Sequence, residues 1–295
     1  MAAPTARRVP ALAPTPFAGR LVGELRLRIG RRSGKDIATA QYHQGALRVL
    51  RPHYLDDSAQ VCYTIVNPGG GYLGADRYGI EVEVEAGSSL LLATQSATKV
   101  YRTPQGEASQ EMLVRLGPGA VLEYLPDQLI AYRDASYRQE LVVDMAADAS
   151  LVQFEILTPG WSPDGTLFRY DQLRLRTQVR VEGKLAVLDN LWVKPGDQSI
   201  DSQLYLQQAT HVGMLLAVDA RIDAVLVEQL REVAYRIAGQ QRQAVQVGVS
   251  QTPTAGVAVR TLGTSTESAT AVMLGIVNEL RARLRGQGPV NLRKY

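Results

Sequence analysis

Acids set inside apolar runs are the groups in this chain with the most chemistry to offer. Glu123 stands in Val121-Leu122-Glu123-Tyr124-Leu125-Pro126, and Glu155 in Val152-Gln153-Phe154-Glu155-Ile156-Leu157. Asp76 follows a glycine-rich stretch, Gly69-Gly70-Gly71-Tyr72-Leu73-Gly74. Thr94, Ser96 and Thr98 alternate along residues 93–102, a spacing that places three hydroxyls on one face of a strand. An acid in a strand core needs a cation, an amide or water. Oxygen ligands along a polar passage would serve a divalent metal in transit. The plainer arrangement, and the commoner one for any single acid, is an arginine or backbone amide beside it.

Other chemistry is poorly supplied. The glycine-rich stretch lacks the Lys-Ser/Thr of a phosphate-binding loop, and no helical pattern follows it. There is neither a Gly-x-Ser-x-Gly elbow nor a His-Glu-x-x-His. His43, His53 and His211 are scattered, and Cys62 sits in the apolar run Val61-Cys62-Tyr63-Thr64-Ile65-Val66, where a buried, inert thiol is expected. One cysteine and three histidines make no Cys/His metal cage.

The elements that must position these residues are mostly strands. In residues 79–87, Ile80, Val82 and Val84 alternate with Glu81, Glu83 and Glu85, the pattern of a half-buried strand. Leu173 and Leu175 alternate with Arg174 and Arg176 in the same way. A loose repeat runs through 84–94, 116–126 and 145–157. Each copy has a small-residue turn and then enters an apolar strand, at Leu90, Leu122 and Leu151. Units of this length stack into β-solenoids and bury a continuous core. Near the C-terminus the period changes. Asp219 is positioned to cap a helix whose stripe is Ile222, Val225, Leu226, Leu230, Val233 and Ile237. Thr264 and Glu267 form a capping-box pattern before a second helix with Val272, Ile276, Val277, Leu280 and Leu284 on one stripe. Its last turn carries Arg281, Arg283 and Arg285, cations that suit the helix dipole.

The expected architecture is therefore mainly β: a β-helix-like (solenoid) stacked-strand body with a small C-terminal two-helix part. A flexible Pro-rich arm is expected over 1–19 and the body over 20–215. The helical part, with an intervening strand segment, is expected over 216–286 and a tail over 287–295.

Over 295 residues the formal net charge is only +3, but that figure averages unlike regions. Residues 1–60 hold 10 basic and 4 acidic side chains, residues 281–295 hold 5 basic and no acidic ones, and the middle is acidic. Basic ends suit an acidic partner surface, or are simply solvated. No aromatic interleaving or motif suggests nucleic acid. The N-terminal stretch has Arg7 and Arg8 but no apolar segment after them, and no run of 18 apolar residues could span a membrane. A cytoplasmic location is expected.

Several segments carry a family resemblance. Ala93-Thr94-Gln95-Ser96-Ala97-Thr98-Lys99-Val100-Tyr101-Arg102 resembles the Thr-Gln-x-Ala-Thr-Lys-x-Tyr signature of the urease accessory protein UreD (UreH) family. Leu122-Glu123-Tyr124-Leu125-Pro126-Asp127-Gln128 is similar to the family's Leu-Glu-Trp/Tyr-Leu-Pro block, and Phe154-Glu155 through Pro159-Gly160-Trp161 to Phe168 resembles the block that follows. Asp189-Asn190-Leu191 is similar to the form of its region in Gram-positive members. The chain departs from the family at Ala75, which precedes Asp76 where Gly-Asp is common, and at Trp161, where many members have Arg.

The resemblance implies a non-enzymatic maturation factor with a β-helix-like body. Members of the family form a complex with UreF and the GTPase UreG that binds the urease apoprotein. Nickel reaches urease through a water-filled passage inside UreD. On this reading Asp76, Glu123 and Glu155 are passage acids and Thr94, Ser96 and Thr98 polar lining. Ni2+ is present only in transit, with no stably bound cofactor. Two other readings stand beside it. One is a carbohydrate-active β-solenoid enzyme with Glu123 and Glu155 as acid and base, though Phe 3, Trp 2 and Tyr 13 leave few rings for sugar stacking. The other is a protein-interaction scaffold with no ion path.

Overall fold

A computed structural model describes residues 15–197, 200 and 205–292. Most of the expected N-terminal arm and the end of the tail lie outside the described residues. Within the arm, Phe17 is buried, with its ring over Gly79, where any Cβ would collide with it.

The described chain opens with an antiparallel hairpin, β1 (Gly23–Arg32) and β2 (Lys35–Gly45). Its turn uses positive φ at both Ser33 and Gly34. Two short strands follow, β3 (Arg48–Val49) and β4 (His53–Tyr54). The chain then coils, and each coil gives a strand to each of two sheets. The first coil is β5 (Val61–Val66) and β6 (Arg77–Val84). The next is β7 (Ser89–Thr94), β8 (Thr98–Val100) and β9 (Ala108–Leu116). A third follows as β10 (Val121–Leu125), β11 (Leu129–Ala131) and β12 (Ser136–Met145). The last is β13 (Ser150–Leu157) and β14 (Gln172–Val181), and β15 (Lys184–Val193) folds back on β14. β16 (His211–Val218), β17 (Val245–Gln251) and β18 (Gly256–Gly263) extend the second sheet antiparallel. Helices α1 (Ala224–Gly239) and α2 (Thr266–Arg285) lie against it.

The first sheet runs β15-β14-β12-β9-β6-β1-β2 and the second β17-β18-β16-β13-β10-β7-β5-β3. Their central strands are parallel, as stacked coils require. The sequence repeat is the stack itself: Leu122 pairs in register with Leu90 on one side and Leu151 on the other. All three are buried, and each contributes roughly 1.5–3 kcal/mol of apolar burial. One core lies between the two sheets. A second lies between the other face of the second sheet and the two helices. The boundary expected at 215/216 falls inside β16, so the helical layer rests on a sheet the body itself supplies.

Details of the C-terminal expectation change. Asp223, not Asp219, caps α1, and Ser265, not Thr264, caps α2. Asp219 is buried and holds Arg221 at 2.7 Å. Two aspartates precede α1, Thr264 and Ser265 precede α2, and sequence spacing does not say which one turns its oxygen to the first free amides. Val225 is exposed, while Val227 and Ala234 complete the buried stripe. Residues 93–102 are not one strand: β7 ends at Thr94 and β8 begins at Thr98, with a bend between.

Candidate functional site

Alternation along each strand decides which core a polar side chain enters. On β9, Met112 and Val114 point between the sheets, and Gln110 shares their parity. On β12, Gln139 shares the parity of Tyr137, Leu141 and Val143. On β13, Leu151 and Leu157 face that same interior, and with them Glu155, whereas Val152, Phe154 and Ile156 face the helices.

These positions build a string of polar groups through an otherwise apolar interior. Thr94, Ser96 and Thr98 do converge, bend notwithstanding, on a cavity of about 60 Å³ shared with Tyr72, Gln110 and Tyr124. That is room for a few waters. The Tyr72 hydroxyl donates to Gln110 Oε1 at 2.5 Å, and the Gln110 amide is hydrogen-bonded to Tyr124. Tyr72 meets Tyr137 edge-on at 5.4 Å between ring centres, and the Tyr137 hydroxyl donates to Gln139 Oε1 at 3.0 Å. Gln139 Nε2 then donates to Glu155 Oε1 at 2.7 Å.

Burial pushes the Glu155 carboxyl up to about 7, the Gln139 hydrogen bond opposes the rise, and the Asp189 charge adds to it. Glu155 is packed deeply enough to lose its hydration, yet it keeps some accessible surface. Burial likewise holds the Tyr72, Tyr124 and Tyr137 hydroxyls above their ordinary value, so they remain neutral donors and acceptors.

Asp76 sits near this string rather than in it. Its carboxylate accepts from Leu73 N at 2.8 Å and lies 3.4 Å from the Tyr78 hydroxyl, closing the 73–76 turn. Tyr78 packs on Tyr72 at 4.2 Å between ring centres, which links the turn to the interior.

Glu123 faces the other way. It points from β10 toward α2, where Arg281 and Arg285 both donate to it, and Gln60 Nε2 joins at 3.1 Å. Arg281 also donates to Gln60 Oε1 at 2.8 Å and to Asp56 at 2.9 Å. Glu123 and Arg281 are both fully buried. Here the plain arrangement holds, an acid answered by arginines. It removes Glu123 from the group expected to share an interior with Glu155. It also corrects the picture of Arg281 and Arg285 as solvated cations. Two acids on opposite faces of one sheet cannot flank one glycosidic bond, so the paired-acid reading has no geometry to stand on.

The sequence did not single out Tyr72, Gln110, Tyr137 or Gln139. A signal existed: Gln110 and Gln139 occupy core-parity positions in strands that are otherwise apolar there.

Comparison with known proteins adds identity to geometry. The sequence pattern of the family described as UreD urease accessory protein matches residues 21–294. A urease accessory protein UreD of Arthrobacter sp. (strain FB24) is 48% identical over 93% of this chain and 94% of its own length. One from Actinomyces naeslundii is 48% identical over 92% of this chain and 98% of its own. One from Paenarthrobacter aurescens (strain TC1) is 45% identical over 94% and 96%. No described helix is long and apolar enough to cross a membrane.

Proposed function

The chain belongs to the UreD family of urease accessory proteins, and from that premise we propose that it is a scaffold and conduit without catalysis of its own. In the cytoplasm, assembled with UreF and the GTPase UreG, it passes Ni2+ to the urease apoprotein through the polar interior between its sheets. The observation that carries this reading is the string from the Thr94–Ser96–Thr98 cavity through Gln110, Tyr72, Tyr137 and Gln139 to Glu155. An apolar core has no need of such a string, and burying it is costly unless every member is satisfied.

The donor chemistry suits cargo in transit. Hydroxyl and amide oxygens replace part of a hydration shell at low affinity, and a single carboxylate supplies attraction without a cage. Tyr72 and Tyr137 hold the two amides in place, so the oxygens are oriented before the ion arrives. Asp76, beside Tyr78, is placed to attract a cation toward that end of the string.

Glu155→Gln keeps the shape and the Gln139 contact but removes the charge. Urease co-expressed with this variant and the other accessory proteins should contain several-fold less nickel, at unchanged amounts of assembled complex. Full nickel content would overturn the conduit and leave the scaffold reading without an ion path.

A further inference from the structure

Across its central strands, the outward face of the first sheet is charge-balanced. Arg26 lies 2.6 Å from Glu81, Arg28 2.8 Å from Glu83, and Arg138 2.8 Å from Glu140. The balance thins at β14, where Arg180 still reaches Asp144 at 3.7 Å. Arg174 and Arg176 project from that strand, Lys184 starts β15, and among the described residues none of the three has an ion pair. Their neighbours on β15 are apolar and open: Leu185 is 57% exposed, Leu188 52% and Trp192 50%. Arg174 and Lys194 both lie over the Trp192 ring, at 5.7 and 5.5 Å from its centre.

β15 is also the terminal strand of its sheet, and no backbone hydrogen bond reaches its outer edge among the described residues. Natural sheets protect such edges with lysines and bulges. Lys184 and the bulge at Val179/Arg180 fit that habit. Three large apolar side chains on the same strand do not, since exposed apolar area of this kind marks contact sites. Tryptophan and arginine together are the composition of interface hot spots.

We propose that the β14–β15 edge docks an extended, acidic segment of a partner protein, which adds a strand to the first sheet. Carboxylates on that segment would answer Arg174, Arg176 and Lys184, and its apolar side chains would cover Leu188 and Trp192. Backbone pairing supplies affinity and the side chains supply selectivity, as in other strand-addition complexes. A second copy of this chain is a poor occupant, because its own β15 carries a single acid, Asp189, already paired with Arg260 at 2.6 Å, and so brings no free carboxylate to these cations. The proposal rests on the reading that the chain works inside an assembly with other urease-maturation proteins.

The test uses the full chain and two purified probes, UreF and the urease apoprotein. Wild type is compared with Arg174→Glu/Arg176→Glu and, separately, with Trp192→Ala. All three substituted residues are at the surface, so unchanged circular-dichroism melts confirm that a binding loss is not unfolding. Both variants should bind one of the probes about tenfold or more weakly. Raising salt from about 50 to 300 mM should weaken wild type more than the charge-reversed variant. Wild-type affinity of both variants for both probes would overturn the docking surface and leave the assembly reading intact. A wild-type dimer in sedimentation that Trp192→Ala splits would assign the edge to a second copy and overturn it too. Failure of wild type to bind either probe would overturn the assembly reading, and this proposal with it.

Discussion

Glu123 and Glu155 stand on neighbouring strands of one sheet and solve burial in opposite ways. On the helix side, Glu123 is met by two guanidinium groups and an amide. The charges cancel there, and the cluster ties the end of α2 to β10 and to Asp56 before β5. Burial pulls the Arg285 guanidinium down from its usual value while Glu123 opposes the drop. On the inner side, Glu155 has one amide donor and no arginine bonded to it among the described residues. Its bonded partner is a neutral amide, and the charge that acts on it, Asp189, is another acid. A charge already paired in place is part of the scaffold. On the proposed reading, a carboxyl that titrates near neutrality with one amide donor is the one a passing cation would meet.

Removing one partner from each side should expose that contrast most sharply at Glu123. Glu123→Ala leaves Arg281 buried without its main counter-charge. Breaking a buried pair in this way costs about 3–5 kcal/mol. Denaturant unfolding of the full chain should show a loss of that order, with α2 detaching first in hydrogen exchange. A loss below about 1 kcal/mol would mean the cluster is wetter than its burial indicates.

Glu155 should respond to pH rather than to loss of a partner. Its folded value of about 7 lies above the unfolded value of 4.5. Below 4.5 both states hold the proton. Between 4.5 and 7 only the folded state does, so stability falls as pH rises through that window and then levels off. The decline is on the order of 3 kcal/mol, because each pH unit between the two values contributes about 1.4 kcal/mol. Glu155→Gln should lack it, and the difference between wild type and variant across pH 5 to 8 is the readout, with the range set by roughly these two values. Stability of wild type that rises with pH relative to the variant would instead assign Glu155 an ion pair, and the comparison with Glu123 would collapse.

Much of the fold was open to reading from sequence, and the sidedness of the acids was not. The column Leu90–Leu122–Leu151 announced itself as a repeat because each coil must begin with the same turn and the same core leucine. The facing of Glu123 and Glu155 gave no such sign. β10 and β13 are apolar on both faces, since one packs on the first sheet and the other on the helices, so period 2 does not name the inner side. Arg281 was hidden for a related reason. A cation in the last turn of a helix already has a surface role, and only the approach of β10 turns it inward. Gln110 and Gln139 were the legible exceptions, polar residues at core parity on strands whose outer faces were already plainly charged.

The smallest expected effect tests whether the inner string is held by hydrogen bonds or merely tolerated. Tyr72 is buried, and its hydroxyl donates to Gln110 at 2.5 Å. Tyr72→Phe keeps the ring packing on Tyr78 and Tyr137 and removes that donor together with the hydroxyl's hydrogen bond to Tyr137. Gln110 Oε1 then loses a buried partner, a cost of about 1 kcal/mol net, rising toward 2 if no water replaces the hydroxyl. The adjoining cavity borders both residues and has room for water, so the lower figure is expected. The same water is what a passing ion would use, and the two readouts therefore separate the possibilities. A loss near 1 kcal/mol in denaturant unfolding, with nickel loading of urease reduced only slightly, fits a wet string whose oxygens are interchangeable. A loss near 2 kcal/mol with loading unchanged would make the string a dry structural network, no different in kind from the arginine cluster around Glu123.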